Sequence, residues 1–402
     1  MSTLINVTTG DPTARFGFRG TDLGYFTKTN HGYCLATFGD TFNGSMPGQG
    51  GGWRSPVITR THNRDLDNGL KWDNAVGGST AKQVVDYTHQ SKADAYTREA
   101  GGFTQIPNDV VHLPDGRYLL STFVVRSWDR HGAASWLTWC NRLWTSTQRD
   151  AETWAPSVNR DTGSGSVDFP NEGEWAKFQN CSLVLWEDGY LYMFGTRSGR
   201  NKGTGIYLSR VRWQDWDRPS KYQLWGWNGT QWVWGHSTAT PILMPTRTGG
   251  AIGEINVQVI EGVCVLAYVD YGLGAVTRTA LRPDSVWTNP QVHATAAQVP
   301  NLYAPSVHPY STLDRPYWHL SQWTSNFYGS KFYRLDPLVV PETEQPGEDQ
   351  DLLPDPGESL EGTDQATCVD LSNLSAEQLA EVLTGSTSVS TEDLLKALQE
   401  RM

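Results

Sequence analysis

Asp22 and Asp40 lie on either side of a short turn near His31, in Gly20-Thr21-Asp22-Leu23-Gly24 and Phe38-Gly39-Asp40-Thr41-Phe42. If the residues between them fold as an antiparallel hairpin, the two become cross-strand neighbours, with Cβ atoms about 4.5–5.5 Å apart when directly opposed. Like charges that close destabilise a hairpin unless something compensates. Two adjacent carboxyls also titrate as a pair, one holding its proton to higher pH. Glycoside hydrolysis needs such a pair: one carboxyl to protonate the leaving oxygen, and one carboxylate to act as nucleophile or base. Direct opposition suits retention of configuration, and a gap of about 6.5–9.5 Å suits inversion. Clustered acids also bind calcium, so a structural calcium ion is the competing reading; no other metal or cofactor is expected.

The turn near His31 is one of five. His31-Gly32, Asp115-Gly116, Asp188-Gly189, Glu261-Gly262 and Arg315-Pro316 each precede a short strand rich in aromatic and β-branched residues. Seven to ten positions before these turns stand Asp22, Asp109, Asn180, Glu254 and His308, one polar side chain per repeat. That pattern fits a ligand site where equivalent strands open at one rim, although a water-filled channel would also be lined by polar groups. Eight or nine residues past the turn, Asp40 and Asp270 recur, which sets Asp270 opposite Glu254. Trp53-Arg54-Ser55-Pro56 follows the glycine-rich stretch 48–52, which lacks the GxxxxGK[ST] pattern of a phosphate cradle. Arg54 is expected to hold a rim carboxylate or a sugar hydroxyl, or else to form a plain salt bridge. The 18 tryptophans exceed what core filling alone requires, and Trp53 and Trp323 are candidate faces for sugar stacking. The run Thr147 to Trp154 has the look of a degenerate Asp-box turn and is assigned no chemistry.

The elements that position these residues are strands. No long amphipathic helix interrupts the pattern before residue 370, and the spacing leaves room for about four strands per repeat. The reading is an all-β, five-bladed β-propeller over residues 1–340, with a β-sandwich as the alternative. Thr3 to Thr8 reads as a strand that joins the last blade and closes the ring. Residues 341–370 form an acidic, Pro/Gly-rich linker expected to be disordered. Within 371–402, Ser375-Ala-Glu-Gln378 and Ser390-Thr-Glu-Asp393 open two short helices whose leucine stripes call for a partner, either another copy of the chain or a larger assembly. Residues 341–402 hold 15 Asp+Glu and 2 Lys+Arg, so the remaining 28 acids and 30 bases leave the main body near neutral. That balance argues against nucleic acid or an anionic membrane as partner. Five scattered cysteines read as buried free thiols. Neither a signal peptide nor a membrane-length apolar run is visible.

The chain resembles a family of actinobacteria and their phages, once uncharacterised, that includes endo-D-arabinanases. The resemblance covers about residues 14–338. It is carried by the two aspartate motifs above, Trp53-Arg54-Ser55-Pro56, Ile106-Pro107-Asn108-Asp109-Val110, Tyr192-Met193-Phe194-Gly195-Thr196, Gly253-Glu254-Ile255 and His319-Leu320-Ser321-Gln322-Trp323, in that order. It implies a five-bladed propeller that cleaves D-arabinofuranosyl linkages of mycobacterial-type arabinogalactan and lipoarabinomannan. Asp22 and Asp40 would be its catalytic acids, and Asp109, Asn180, Glu254 and His308 their cleft partners. It also implies a minor tail protein of a phage virion that acts outside the host cell and attaches to other tail proteins through residues 371–402. A non-catalytic, sugar-gripping receptor domain and a purely structural tail component are the other readings. Departures from the pattern are Asn180, where an apolar residue is expected, and a long polar insertion at 71–103.

Overall fold

The computed structural model describes residues 2–342. The linker and helix expectations therefore lie outside the described residues, apart from positions 341 and 342. The chain is all-β. Among the described residues the α-helical segments are Asp11–Ala14 and Lys92–Thr97, and the strands assemble into five antiparallel sheets.

Each of the five turns separates the first two strands of one sheet. These pairs are Leu23–Lys28 with Cys34–Phe38, Gln105–His112 with Tyr118–Ser127, and Asn180–Leu185 with Tyr190–Thr196. They continue with Ile252–Ile260 paired to Val263–Asp270 and Leu302–Val307 paired to Tyr317–Trp323. In four turns the glycine has φ between +80° and +89°, a left-handed conformation that a side chain rarely adopts. Thr3–Val7 pairs with Tyr328–Arg334 in the fifth sheet, as the sequence suggested.

The first strands of the five sheets pack on one another in sequence order, and the fifth packs back onto the first. Between the sheets lie separate apolar cores. Tyr33, Leu35 and Ile58 meet Val110, Leu120 and Trp144; Leu119 and Leu143 meet Leu183 and Met193. Phe194 and Trp225 meet Ile255 and Leu266, Val265 and Ala267 meet Val307 and Trp318, and Tyr317 and Phe332 return to Phe26 and Phe38. Alternation explains this arrangement: a strand with apolar residues on both faces is covered on both faces by neighbouring sheets. A sixth cluster, containing Leu23, Tyr25, Ile106, Phe123, Trp136 and Tyr303, fills the centre where the first strands converge. Ten of the 18 tryptophans are buried, so core filling accounts for about half of them. Cys34, Cys140, Cys181 and Cys264 are buried free thiols.

The N-terminal strand is tied in by more than its ladder. Thr8 Oγ1 donates to the Ser330 carbonyl (2.9 Å), and Trp72 Nε1 donates to the Thr8 carbonyl (2.8 Å). Deleting residues 2–9 uncovers the edge Tyr328–Arg334 and leaves those buried groups unpaired. The expected result is a lower midpoint of thermal unfolding and concentration-dependent association; an unchanged midpoint would show the strand to be dispensable.

Candidate active site

Four of the five first strands carry an irregularity near their starting end, between Leu23 and Tyr25, Pro107 and Asp109, Ile252 and Ile255, and Tyr303 and Ser306. A bulge re-aims the side chains beside it. Leu23 and Ala304 have φ of +66° and +48°, conformations that cost a residue with a side chain on the order of 1–3 kcal/mol. The residues just before them are Asp22 and Tyr303, and the Tyr303 hydroxyl donates to Asp22 Oδ2 at 2.9 Å.

Asp22 and Asp40 are half-buried at this end of the first sheet. They are not directly opposed. Leu23 pairs with Phe38, and the Gly39 amide donates to the Asp22 carbonyl (3.1 Å), so Asp22 faces Gly39 and Asp40 lies one residue beyond. Glycine is required there, because a Cβ on residue 39 would overlap Asp22 Oδ1. Asp22 Oδ1 is buried and has no hydrogen-bond partner among the described residues. Asp40 Oδ1, in contrast, accepts from both Trp53 Nε1 (2.8 Å) and Thr104 Oγ1 (2.7 Å), and its carbonyl accepts from the Tyr328 hydroxyl (2.9 Å).

Burial, and after it the charge of Asp40, pushes Asp22 up to about 7 against the pull of the Tyr303 and Tyr328 hydroxyls. Burial lifts Asp40 to about 6, with the Thr104 and Trp53 donors working the other way. One proton is thus shared over a pair of carboxyls near neutral pH, with Asp22 the better proton holder.

The other predicted residues divide. Trp53 flanks Asp40 and is clamped by the polar insertion, its ring stacked on His89 at 3.8 Å. Trp323 is 52% exposed and edge-on to Tyr328 at 5.5 Å, at the same rim. Asn180 begins the first strand of the third sheet and is buried, its Oδ1 without a partner. Glu254 is buried beside the pair, with Oε1 held by Arg200 Nε (3.1 Å) and Nη2 (2.7 Å) and Oε2 unpartnered.

Four expectations need correction. Asp109 is an internal strut: its carboxylate accepts from the Ser182 hydroxyl and from the amides of Leu183 (3.0 Å) and Val110 (2.8 Å), tying the second sheet to the third. Asp270 pairs with Ile252, not Glu254, and its buried carboxylate caps backbone amides of Thr246 and Gly272, both at 2.9 Å. His308 lies at the far end of its strand, its ring 4.7 Å from Phe26 and 5.8 Å from Phe332, and burial lowers it to about 3. Arg54 is a loop tie, donating to the carbonyls of Ala81 (2.8 Å) and Gly17 (3.0 Å) and to Asn43 Oδ1 (2.8 Å). The sequence reading missed Tyr303, Tyr328, Thr104 and Arg200. Tyr303 alone had a signal, as the polar-ended residue at the true start of the fifth first-strand.

Among the described residues, the metal-type donors that converge are Glu99, Cys140 and Asp168, and neither Asp22 nor Asp40 is in that group. Arg142 bridges Glu99 and Asp168 at 2.7 and 2.6 Å, so that cluster is an ion-pair network. A cavity of about 420 Å³ lined by His31, Asp115, Arg117, Thr147 and Arg149 sits at the hairpin-turn end of the strands, away from the carboxyl pair.

Residues 8–334 match the family model described as "Domain of unknown function (DUF4185)". Notoamide biosynthesis cluster protein J of Aspergillus sp. (strain MF297-2) is 26% identical over 327 residues, covering 77% of this chain and 81% of its own. An uncharacterized 35.9 kDa protein of Mycolicibacterium smegmatis is 24% identical over 360 residues, covering 83% and 95%. Among solved structures, the α-L-arabinofuranosidase PaAbf62A of Podospora anserina aligns with a TM-score of 0.46 and 12% identity, over 83% of this chain and 96% of that one. Backbone likeness at that level assigns no reaction.

Asp22 has a pKa of about 7 in the folded protein, against about 3.9 for a free aspartate. The folded state therefore binds this proton more tightly. The carboxyl supports folding most fully below about pH 4, and that support is lost as pH rises toward 7. Asp22→Asn is expected to flatten the fall in melting temperature between pH 5 and pH 8. An identical pH dependence in both proteins would contradict the raised titration.

Proposed function

The chain belongs to the DUF4185 family, and from the geometry of its carboxyl pair, with the sequence resemblance described above, we propose that it is a glycoside hydrolase acting on D-arabinofuranosyl linkages within a cell-wall arabinan. The observation that carries the reading is the Asp22–Asp40 pair: two half-buried carboxyls at one rim, coupled in titration and held by different donors. We read the five sheets, packed first strand to first strand in a cycle, as five blades of a propeller with this pair at its mouth.

The division of labour follows from the hydrogen bonds. Asp40 accepts two donors on Oδ1, which favours its anion and leaves Oδ2 for attack on the anomeric carbon or for activating water. Asp22 is pushed up further than Asp40 even against the phenols of Tyr303 and Tyr328, so it is the member of the pair that holds the proton for the leaving oxygen. Tyr303 fixes the rotamer of the acid, and Trp53, clamped by His89, fixes that of the base. Exposed rings at Trp128 (37%) and Trp323 (52%) offer faces for successive sugars, as an endo-acting enzyme requires.

A place on a phage tail is part of the proposal. It is supported by the shift to acidic composition after Pro341 and by the sequence of 371–402, where two capping-box patterns each precede a run of spaced leucines that would suit attachment to tail proteins or to a second copy.

Incubation with arabinogalactan is expected to release new reducing ends. Asp22→Asn and Asp40→Asn should each cut the rate by about 10²–10⁴-fold, the range for losing one acid–base group, without unfolding the protein. Binding without release by the unsubstituted protein would turn the reading into a sugar-gripping receptor domain. The rate should follow a bell with limbs near pH 6 and 7, since one carboxyl must be ionised and the other protonated. A rate that is flat from pH 5 to 8 would rule out this pair as the acid and base.

A further inference from the structure

Arg200 sits on the loop after Tyr190–Thr196 in a left-handed conformation, φ +50°, that a side chain adopts only under constraint. Its guanidinium lies 5.0 Å from the Trp136 ring, 5.4 Å from Tyr271 and 5.5 Å from Tyr303, which belong to or adjoin the second, fourth and fifth sheets. Its Nε and Nη2 both donate to a single oxygen of Glu254, Oε1. Glu254 is 5% exposed, and its second oxygen, Oε2, has no partner among the described residues. A buried carboxylate oxygen without a donor is costly. The pairing on one oxygen leaves an acceptor directed elsewhere.

Two kinds of group could satisfy it, a cation or a hydroxyl. A cation is disfavoured, because the guanidinium already neutralises the carboxylate at 2.7 Å and would repel a second positive charge. A hydroxyl meets no such penalty. Tyr303 links the two regions, since its ring faces Arg200 while its hydroxyl donates to Asp22. Tyr271, 46% exposed, packs its ring against the same guanidinium.

We propose that Arg200, Glu254 and Tyr271 form a sugar subsite next to the cleaved bond: Arg200 locks Glu254 by one oxygen, the other accepts a ring hydroxyl, and the Tyr271 ring stacks on that sugar. Arg200 is here a positioning residue and Glu254 the specificity-determining one. The inference rests on the glycosidase reading for the identity of the ligand, but its geometry also stands for a domain that only binds. The ligand class is a neutral, hydroxyl-bearing glycan, because an acidic sugar would meet Asp22, Asp40 and Glu254 with one cation between them.

The test uses the full chain and arabino-oligosaccharides, with KM and kcat measured on the active protein and equilibrium affinity by calorimetry in an Asp40→Asn background. Glu254→Gln can keep the bond to Arg200 while turning the free acceptor into a donor; Arg200→Met removes the lock. Each is expected to raise KM and weaken affinity about ten- to hundredfold, the range for one charge-assisted hydrogen bond, with kcat changed less than about threefold; melting temperature is preserved in Glu254→Gln and lowered in Arg200→Met, which leaves a buried carboxylate unpaired. The double variant should be no weaker than the worse single one, because the two act as a unit. Tyr271→Ala, at an exposed position, should weaken affinity at least about fivefold whether or not the buried variants fold. Affinity within twofold of the parent in Glu254→Gln, or in Tyr271→Ala, overturns the proposal. Absence of any cleavage by the unsubstituted protein would instead remove the hydrolase reading, and the calorimetric arm would still decide the subsite.

Discussion

Two carboxyl groups held half out of water and within electrostatic reach repel each other whenever both are ionised. The protein tolerates that at Asp22 and Asp40 because a phenol, an indole and a threonine hydroxyl hold the two groups in different ways. The asymmetry matters more than the proximity. Burial together with the charge of Asp40 raises Asp22 further than burial alone raises Asp40, whose Thr104 and Trp53 donors favour its anion, so the shared proton resides on Asp22. Every group that enforces the difference comes from a separate segment: Tyr303 from the fifth sheet, Trp53 from the loop after Asp40, and Thr104 from the start of the second sheet.

The surrounding fold supplies the rigidity this arrangement requires. Apolar cores fill each gap between neighbouring sheets, so no first strand can shift without opening two of them. That packing sustains the left-handed residues Leu23 and Ala304 directly after the two groups that meet. Asp109 contributes in a different way, stitching one first strand to the next from within. The long polar insertion at 71–103 reaches the site through His89 on Trp53 and the Tyr87 hydroxyl near Thr104.

Much of this was legible from turn chemistry. Gly or Pro after a polar residue marked all five hairpins, and counting from them located Asp22, Asp40, Asn180 and Glu254 at one end of the sheets. The count failed where the backbone departed from a regular hairpin. In the fifth sheet the connection spans residues 308–316, so a count back from Arg315-Pro316 falls on His308 at the wrong end of its strand, and Tyr303 takes the position instead. In the fourth, the irregularity between Ile252 and Ile255 moves Glu254 off Asp270. In the first, Asp22 faces Gly39, so the direct opposition that the residue count implied does not occur. Arg200 was not legible at all: it sits on a loop with no repeat to index it, and its importance comes from three rings and a carboxylate that are distant in sequence. Charged residues posed the same problem in reverse, since Asp109, Asp270 and Arg54 look chemical in sequence yet spend hydrogen bonds on tying the backbone together.

The shared proton can be observed without any substrate. Carbon-13 NMR of aspartate side-chain carboxyls, followed against pH in the parent protein and in Asp40→Asn, reads the titration of Asp22 directly. The account predicts a midpoint near 7 for Asp22 that moves down when the neighbouring charge is removed. A midpoint at the ordinary aspartate value of about 4, unmoved by the substitution, would contradict it.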